Sequence, residues 1–283
     1  MEEGEPVSSE TGLAAQGVTI SYDGTPVVHD VSLDIPHGEF TMIIGPNGCG
    51  KSTLVKAFAR VLKPAQGTIL LHGRDLWSYR GREAARQVAL LPQNPIAPDG
   101  ITVGGLVRRG RYPHHTLLRQ WSPDDEAAIG FALDRTGIRD LTEAQAGRLS
   151  GGQRQRAWIA MVLAQQTDLL LLDEPTAFLD ISHQYDLLEL CRELHEDGKT
   201  IVAVLHDLNQ AARFASHLIV MNEGRVIAQG PPPEVLTSQL VEDVFGLACD
   251  IVPDPQTLTP MVVPHARRKG TTSGVSVTPS ERE

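Results

Sequence analysis

Between two apolar segments, the chain carries the sequence Gly45-Pro46-Asn47-Gly48-Cys49-Gly50-Lys51-Ser52-Thr53. The apolar run before it, residues 40–44, predicts a buried parallel strand, and residues 54–59 after it predict the start of a helix. Glycines at positions 45, 48 and 50 allow backbone conformations that are closed to residues with a Cβ atom. The N–H groups of such a loop can converge on a phosphate, and the helix N-terminus adds partial positive charge. We therefore predict a nucleotide-binding loop.

Side chains of this loop supply chemistry that a nucleoside triphosphate requires. Lys51 is expected to reach the β- and γ-phosphates, and the Ser52 hydroxyl is expected to bind Mg²⁺. At Cys49 a small side chain suffices, so we expect no redox role for its thiol. The remaining loop residues expected to contact the nucleotide are Gly45, Pro46, Asn47, Gly48, Gly50 and Thr53.

Composition and charge restrict the class of protein. The chain has 283 residues, 41% of them hydrophobic, which is enough for a substantial core. Its formal net charge of −10 argues against bulk nucleic-acid binding. The three cysteines, Cys49, Cys191 and Cys249, are far apart, so they indicate neither a disulfide framework nor a zinc site. Reduced cysteines are typical of the cytosol.

The sequence predicts no membrane span and no signal peptide. No apolar run approaches the ~20 residues that a bilayer-spanning helix needs. The acidic N-terminus lacks the apolar core of a signal peptide, and we expect residues 1–12 to form a disordered leader. If the protein serves a membrane process, another chain is expected to span the bilayer.

A second glycine-containing segment opens a long predicted helix, which extends to about residue 163. Ser150 is a good N-cap residue, and Gly151 and Gly152 after it leave backbone N–H groups exposed. The segment is therefore a second potential anion site. An ordinary helix start is the alternative.

Two carboxylates follow a run of four leucines at residues 169–172. The leucines predict a strand buried on both faces, and Asp173 and Glu174 come directly after them. Carboxylates in that position are costly unless they meet a cation or a water-filled site. Asp173 can hold Mg²⁺, and Glu174 can accept a proton from an attacking water. A surface turn is the weaker alternative beside a phosphate loop.

Two further residues have both a structural and a functional interpretation. Tyr22 ends a predicted strand, where it can pack across the strand pair or present an aromatic platform to an adenine ring. His206 follows the predicted strand at residues 200–205. A histidine there is usually structural, but ligands gather at this end of the strands in open α/β sheets.

The middle and the end of the chain differ from the rest in hydrophobic pattern and composition. Strand-like runs vanish between about residues 94 and 166, where helices are predicted around 102–109 and 124–136, so we predict a helical insertion. A basic stretch within it favours a solvated loop face and consists of Arg108, Arg109, Arg111, His114, His115 and Arg119. Residues 253–283 are expected to form a flexible tail, since Thr, Ser, Pro and Gly dominate from residue 257 onward.

In this order, the pieces resemble the ATP-binding subunit of ABC transporters. The resemblance extends from Gly17 to about Asp250 and includes the phosphate loop, the carboxylate pair and the segment Leu149–Gln153, called the signature in this family. It implies one ATP-binding domain, about residues 13–252, of the α/β class. That domain would have a P-loop NTPase-type core with a mostly parallel sheet, an N-terminal antiparallel β-subdomain and an inserted α-helical signature subdomain.

The resemblance also implies a role for each matching residue. Tyr22 would stack on adenine, while Gln93 would approach Mg²⁺, with Ser52 and Asp173 as the other metal ligands, and relay the nucleotide state to a membrane subunit. His206 would hold the γ-phosphate beside the water that Glu174 activates, so the catalytic residues would be Glu174, His206 and Lys51. The residues that would face a nucleotide held by a second copy, or that copy itself, are Ser150, Gly151, Gly152, Gln153 and Asp180.

A finer resemblance concerns the transported substrate. Residues 110–114, 118–121, 178–184 and 251–255 look like those of the subgroup that energises iron(III)–siderophore uptake. It implies an ATPase on the cytoplasmic face of the cell membrane that uses ATP and Mg²⁺. Its partners would be a second, head-to-tail copy, permease subunits and, indirectly, a substrate-binding protein, with no nucleic acid expected.

Two alternatives remain open, and one position departs from the family pattern. A haem or cobalamin importer is the nearer alternative, and a soluble ABC ATPase of iron–sulfur assembly or DNA maintenance is the more distant one. Ala177 and Phe178 replace the commoner Ser-Ala type before Leu179-Asp180. This difference affects the expected hydrogen bonds between subunits rather than the expected fold.

Overall fold

The computed structural model describes residues 11–115 and 121–266. The strands are β1 (Thr11–Tyr22), β2 (Thr25–Pro36), β3 (Phe40–Ile44), β4 (Gln66–Leu71), β5 (Arg74–Asp75), β6 (Val88–Leu91), β7 (Leu169–Asp173), β8 (Thr200–Val204), β9 (His217–Asn222), β10 (Arg225–Gly230), β11 (Cys249–Pro253) and β12 (Pro260–Pro264). The α-helices are α1 (Lys51–Phe58), α2 (Gly81–Ala84), α3 (Val103–Arg108), α4 (Pro123–Arg135), α5 (Gly151–Ala164), α6 (Ile181–Glu196), α7 (Leu208–Phe214), α8 (Pro232–Val235) and α9 (Ser238–Phe245). Short 3₁₀ helices span Leu76–Ser78, Arg109–His114, Arg139–Leu141 and Ala146–Arg148.

A six-stranded, mostly parallel sheet forms the centre of the fold. Its strand order is β10-β9-β3-β8-β7-β6, and only the edge pair β10–β9 is antiparallel. Every residue of β3, β7 and β8 is buried, as the continuous apolar runs predict for strands covered on both faces. The phosphate loop, the carboxylate pair and His206 all follow the carboxyl ends of these strands, where ligands bind in open α/β sheets.

A smaller antiparallel sheet of order β2-β1-β4-β5 covers one side of this core. Its β1–β2 hairpin turns at Asp23 and Gly24, both with positive φ, a dipeptide that favours two-residue hairpin turns. Apolar residues of β1, β2 and β4 share one buried cluster with α1 and with alternate residues of β3, β7 and β8. Helix α1 therefore leaves the phosphate loop between two layers of sheet.

Helices α3, α4 and α5 pack together between β6 and β7 in chain order. The described residues of the 94–166 segment form helices, 3₁₀ turns and a single isolated bridge between Thr102 and Gln145. Their buried apolar residues join the second cluster, on the other side of the large sheet. Among the helices of the described part of the chain, none is both long enough and apolar enough to cross a bilayer.

The prediction of a solvated face for the basic stretch is wrong for its central arginine, whereas Arg108 and Arg109 are exposed. Arg111 is only 4% exposed, and its Nε donates to Asp125 Oδ1 at 2.8 Å. Its Nη1 donates to Ala164 O and to Gln166 Oε1, both at 2.7 Å. A guanidinium is tolerated in the interior when its donors are matched by a carboxylate and further acceptors. Arg111 therefore joins the 3₁₀ helix to α4 and to the end of α5.

The carboxyl partner of Arg111 is buried as deeply as the arginine. Burial by itself would raise the pKa of Asp125, but hydrogen bonds from Arg111 and Ser122 hold that pKa well below its usual range. His114, in the same stretch, is half-buried and its Nε2 lies 2.8 Å from Gln165 O. Arg119, the last member of the stretch, lies outside the described residues.

The expected chain ends need correction where they are described. Residues 253–264 belong to the β11–β12 hairpin rather than to a flexible tail, and Asn209 of α7 fixes β12 by two hydrogen bonds with Val262. The prediction of a tail depended on polar composition. Backbone pairing between β11 and β12, together with the side-chain amide of Asn209, orders these residues instead. Strand β1 begins at Thr11, within the expected leader. Residues 1–10 and 267–283 lie outside the described part of the chain.

We expect Arg111→Met to lower the free energy of unfolding by about 3–5 kcal/mol, because it leaves the buried Asp125 carboxylate uncompensated. Arg139→Met is the matched control, since Arg139 pairs with Asp134 on the surface. It should have a much smaller effect. Urea denaturation at neutral pH measures both changes. Equal effects of the two substitutions would contradict a buried, structural ion pair.

Candidate functional site

The phosphate loop is shaped by two close backbone contacts. Gly45 has φ +153°, and a Cβ atom there would lie 2.1 Å from Met221 O. Gly50 caps α1 with φ +99°, and a Cβ atom there would lie 3.1 Å from Val27 O. A side chain at either position would be strained, and at 45 it would also collide with backbone. These glycines let the loop pass close to β9 and β2.

Lys51 is held by the loop that it follows. Its side chain is 5% exposed, and its Nζ donates to Gly45 O and Pro46 O, both at 2.8 Å. Lys51 also lines a cavity of about 430 Å³ over the loop. Cys49 is buried beside it, and burial raises the pKa of its thiol although Lys51 acts in the opposite direction. A raised thiol pKa makes a poor nucleophile, which agrees with the structural role expected for Cys49.

Ser52 and Asp173 form the oxygen-rich side of the site. Ser52 Oγ donates to Asp173 Oδ1 at 2.7 Å, and the aspartate is 1% exposed. Burial, together with the Glu174 charge, raises the pKa of Asp173, against the Ser52 hydrogen bond and two lysines. The other oxygen, Oδ2, is buried and has no hydrogen-bond partner among the described residues.

A buried carboxylate oxygen without a hydrogen-bond partner is energetically costly. Its presence beside a hydroxyl therefore indicates a place where a cation can bind. Hydroxyl and carboxylate oxygens are the ligands that Mg²⁺ prefers, and it commonly binds one or two carboxylates plus phosphate oxygens. The described residues contain no cluster of three or more His, Cys, Asp and Glu able to hold a metal by themselves. The Ser52–Asp173 pair therefore fits Mg²⁺ bound together with a nucleotide.

Glu174 brings together two other residues that the sequence singles out. Its Oε2 accepts from Gln93 Nε2 at 2.5 Å, and its Oε1 lies 2.8 Å from His206 Nε2. Its side chain is 14% exposed, and its φ of +51° is rare for a residue with a Cβ atom. Such backbone strain concentrates at functional sites. The carboxylate is thus held at both oxygens, beside the phosphate loop.

The signature segment is joined to the Asp180 turn by a histidine. Ser150 caps α5 as predicted, through reciprocal hydrogen bonds with Gln153 of 3.3 and 3.1 Å. Asp180 caps α6, and its Oδ1 lies 2.6 Å from His183 Nδ1. A Cβ atom at Gly152 would lie 2.8 Å from the same imidazole. Sequence analysis gave His183 no role of its own, although its position three residues after a helix cap was available as a signal.

The predicted site residues fall into two groups in space. The residues that line the cavity over the loop are Val27, Asn47, Gly48, Gly50, Lys51, Ser52, Thr53, Gln93, Glu174 and His206. Of these, sequence analysis missed Val27, which the hairpin turn at residues 23–24 brings to the loop. Tyr22, Ser150 and Asp180 do not line this cavity. Gly151 lines a neighbouring cavity of about 360 Å³, which shares Gln93 and Glu174 with the first.

A glycine loop between strand and helix, with a carboxylate pair ending a neighbouring strand, defines an α/β nucleotide-binding protein. The chain belongs to the ABC transporter family, whose model matches residues 28–177. The predicted fold class and the predicted transport-coupled ATPase are thereby confirmed.

Two relatives and one solved structure illustrate the similarity. The chain is 52% identical over 262 residues to the ferric enterobactin transport ATP-binding protein FepC of Escherichia coli (strain K12), covering 92% of this chain and 97% of that protein. It is 48% identical to the achromobactin transport ATP-binding protein CbrD of Dickeya dadantii (strain 3937), with the same coverage of 92% and 97%. The dimeric structure of MJ0796, a bacterial ABC transporter cassette, superposes with a TM-score of 0.69 at 26% identity, covering 77% of this chain and 98% of that one.

We expect Lys51→Ala to weaken MgATP binding by about 10- to 100-fold, the usual value of a charge-assisted hydrogen bond to phosphate. Titration calorimetry with the purified chain measures this affinity. Lys63→Ala, at an exposed lysine outside the cavity, is the matched control and should bind as the wild type does. Wild-type affinity together with wild-type turnover in Lys51→Ala would exclude the assigned role.

Proposed function

We propose that this chain is the ATP-hydrolysing subunit of an importer for iron(III)–siderophore complexes. The observation that carries the proposal is the 52% identity, over 92% of the chain, to a ferric enterobactin transport ATP-binding protein. The similarity to an achromobactin transport ATP-binding protein supports the same substrate class. The chain itself would supply energy and would not touch the siderophore.

In this proposal, the triphosphate occupies the cavity over the phosphate loop. Backbone N–H groups of the loop and the N-terminus of α1 bind the phosphates, and Lys51 turns from the loop carbonyls toward their charge. Ser52, Asp173 and the Gln93 amide would hold Mg²⁺, which neutralises charge on the phosphate oxygens when it is bound. Tyr22 remains a candidate for stacking on adenine, at the exposed end of the hairpin whose Val27 lines the cavity.

Hydrolysis requires a base that is fixed in place. Glu174 meets this requirement because Gln93 and His206 each hold one of its oxygens. Each carboxylate oxygen keeps a further lone pair, which can accept the proton of an attacking water. His206 is 47% exposed at the cavity, so it can contact the γ-phosphate while it orients the base.

The active unit that we propose is a head-to-tail pair of identical chains. Ser150, Gly151, Gly152 and Gln153 would face the phosphate loop of the second copy, and Asp180 would contact that copy. Support comes from the separation of Ser150 and Asp180 from the cavity over the loop, and from the dimeric cassette with which this chain superposes. The pair would attach to permease subunits at the cytoplasmic face of the membrane and would serve a substrate-binding protein through them.

The test is transport in a strain from which this gene is deleted. The wild-type gene on a plasmid should restore uptake of radiolabelled iron(III)–siderophore. Glu174→Gln should not restore it, because loss of a positioned base slows hydrolysis by ~10²–10⁴-fold while ATP still binds. Haem and cobalamin uptake are measured in the same strains, and immunoblots confirm equal amounts of both proteins in the membrane fraction.

The outcomes separate the possible functions. Intact siderophore uptake after deletion, in a strain without a redundant importer, would contradict the proposed substrate. A selective loss of haem or cobalamin uptake would indicate the nearer alternative. A protein absent from membranes, with normal uptake of all three substrates, would indicate a soluble ABC ATPase instead.

A further inference from the structure

The loop that follows Glu174 is held by glutamine side chains from two helices. We call residues 175–180 the Asp180 loop. Gln155 of α5 donates from Nε2 to Pro175 O at 2.8 Å. Gln184 of α6 donates from Nε2 to Leu179 O at 2.9 Å, near the other end of the loop. These bonds tie both ends of the loop to helices.

Gln184 also contacts the element that follows His206. Its Oε1 accepts from Gln210 Nε2 at 2.8 Å. Gln210 is 5% exposed and lies in the first turn of α7, where its backbone N–H donates to the cap residue Asp207 at 2.8 Å. Asp207 is adjacent to His206 in the chain. The Gln184–Gln210 pair therefore links the Asp180 loop to the start of α7.

With the contacts of Glu174, this link closes a ring. Glu174 precedes the Asp180 loop, and its Oε1 lies 2.8 Å from His206 Nε2. The ring then runs through the loop, Gln184, Gln210 and the cap of α7 back to His206. The Asp180 loop is therefore connected to His206 by two routes, one through Glu174 and the other through the glutamine pair.

The orientation of the Gln184 amide is determined by its two neighbours. The carbonyl of Leu179 requires a donor, and the amide nitrogen of Gln210 requires an acceptor. A flipped amide would place oxygen against oxygen on one side and nitrogen against nitrogen on the other. Because Gln210 is buried, a lost partner could not be replaced readily by bulk water.

We propose that Gln184 and Gln210 are positioning residues that couple the Asp180 loop to His206. Neither residue lines the cavity over the phosphate loop, so neither is assigned contact with the nucleotide. Contact of Asp180 with a second copy would move the loop, and the glutamine pair would carry that movement to His206. The inference rests on the proposed roles of Glu174 and His206 in hydrolysis.

Steady-state ATP hydrolysis by the full chain tests this coupling. Gln184→Met and Gln210→Met should each lower kcat by about 3- to 30-fold, with KM for ATP changed less than about twofold. The double variant should lose no more than the worse single variant, because both substitutions break the same link. Gln239→Met is the matched control: Gln239 is exposed on α9, hydrogen-bonds to Asp243, and should show wild-type kinetics.

A conservative variant separates coupling from simple helix packing. Gln184→Glu keeps an acceptor for Gln210 but loses the donor to Leu179 O. It should therefore reproduce the kcat loss of Gln184→Met. Wild-type kcat in Gln184→Glu would overturn the proposal. The hydrogen bond from Gln210 to residue 184 would then be enough for full turnover, without the bond to Leu179 O. This variant also keeps the test open if a methionine variant fails to fold.

Glu174→Gln, measured in parallel, separates this proposal from the one on which it rests. Wild-type turnover in that variant would show that Glu174 is not the base, whatever the variants of Gln184 and Gln210 show. An inactive Glu174→Gln combined with unchanged kcat in both methionine variants would overturn the coupling alone. Multiplying losses in the double variant would overturn it as well, since they would indicate two independent structural roles.

Discussion

Two adjacent carboxylates at the end of a fully buried strand impose the main constraint on this structure. Asp173 and Glu174 lie at the carboxyl end of β7, where the sheet itself offers no partner for their charges. Neighbouring elements must therefore supply the hydrogen-bond partners of both carboxylates. Ser52 does so from α1, Gln93 from the segment after β6, and His206 from the segment after β8. Parallel strand order places all three at the same edge of the sheet. The nucleotide site is therefore a consequence of the topology.

The sequence predicts most of the core because the relevant signals are local. Strands β3, β7 and β8 are continuous apolar runs, and the helix that begins after Ser150 ends within one residue of the expected position 163. Predictions fail where distant partners decide the outcome. Arg111 is buried because Gln166, 55 positions away, and Asp125 satisfy it. The hairpin around Val262 is likewise fixed by a contact with α7 that polar composition cannot indicate.

The same distinction applies to the site. The loop, the carboxylates and His206 are found from motif and context, and Gln93 from the family resemblance; the structure brings them together. Gln184 and Gln210 were not assigned roles, because their importance arises from a contact between α6 and α7. His183 was missed although its contact with the cap residue Asp180 is local in sequence. The roles of the signature and of Asp180 stay predictions, since they concern a surface that a second copy would complete.

Nucleotide occlusion in a mixed dimer tests most directly whether two copies complete each site. One copy carries Lys51→Ala and the other Ser150→Arg, so that one site has both lesions and the other combines an intact loop with an intact signature. The measurement is labelled ATP occluded by isolated, permease-attached dimers, beside both parent homodimers. The account predicts occlusion at one site in the mixed dimer and none in either parent. Occlusion no greater than in the parents, in a correctly assembled mixture, would contradict it.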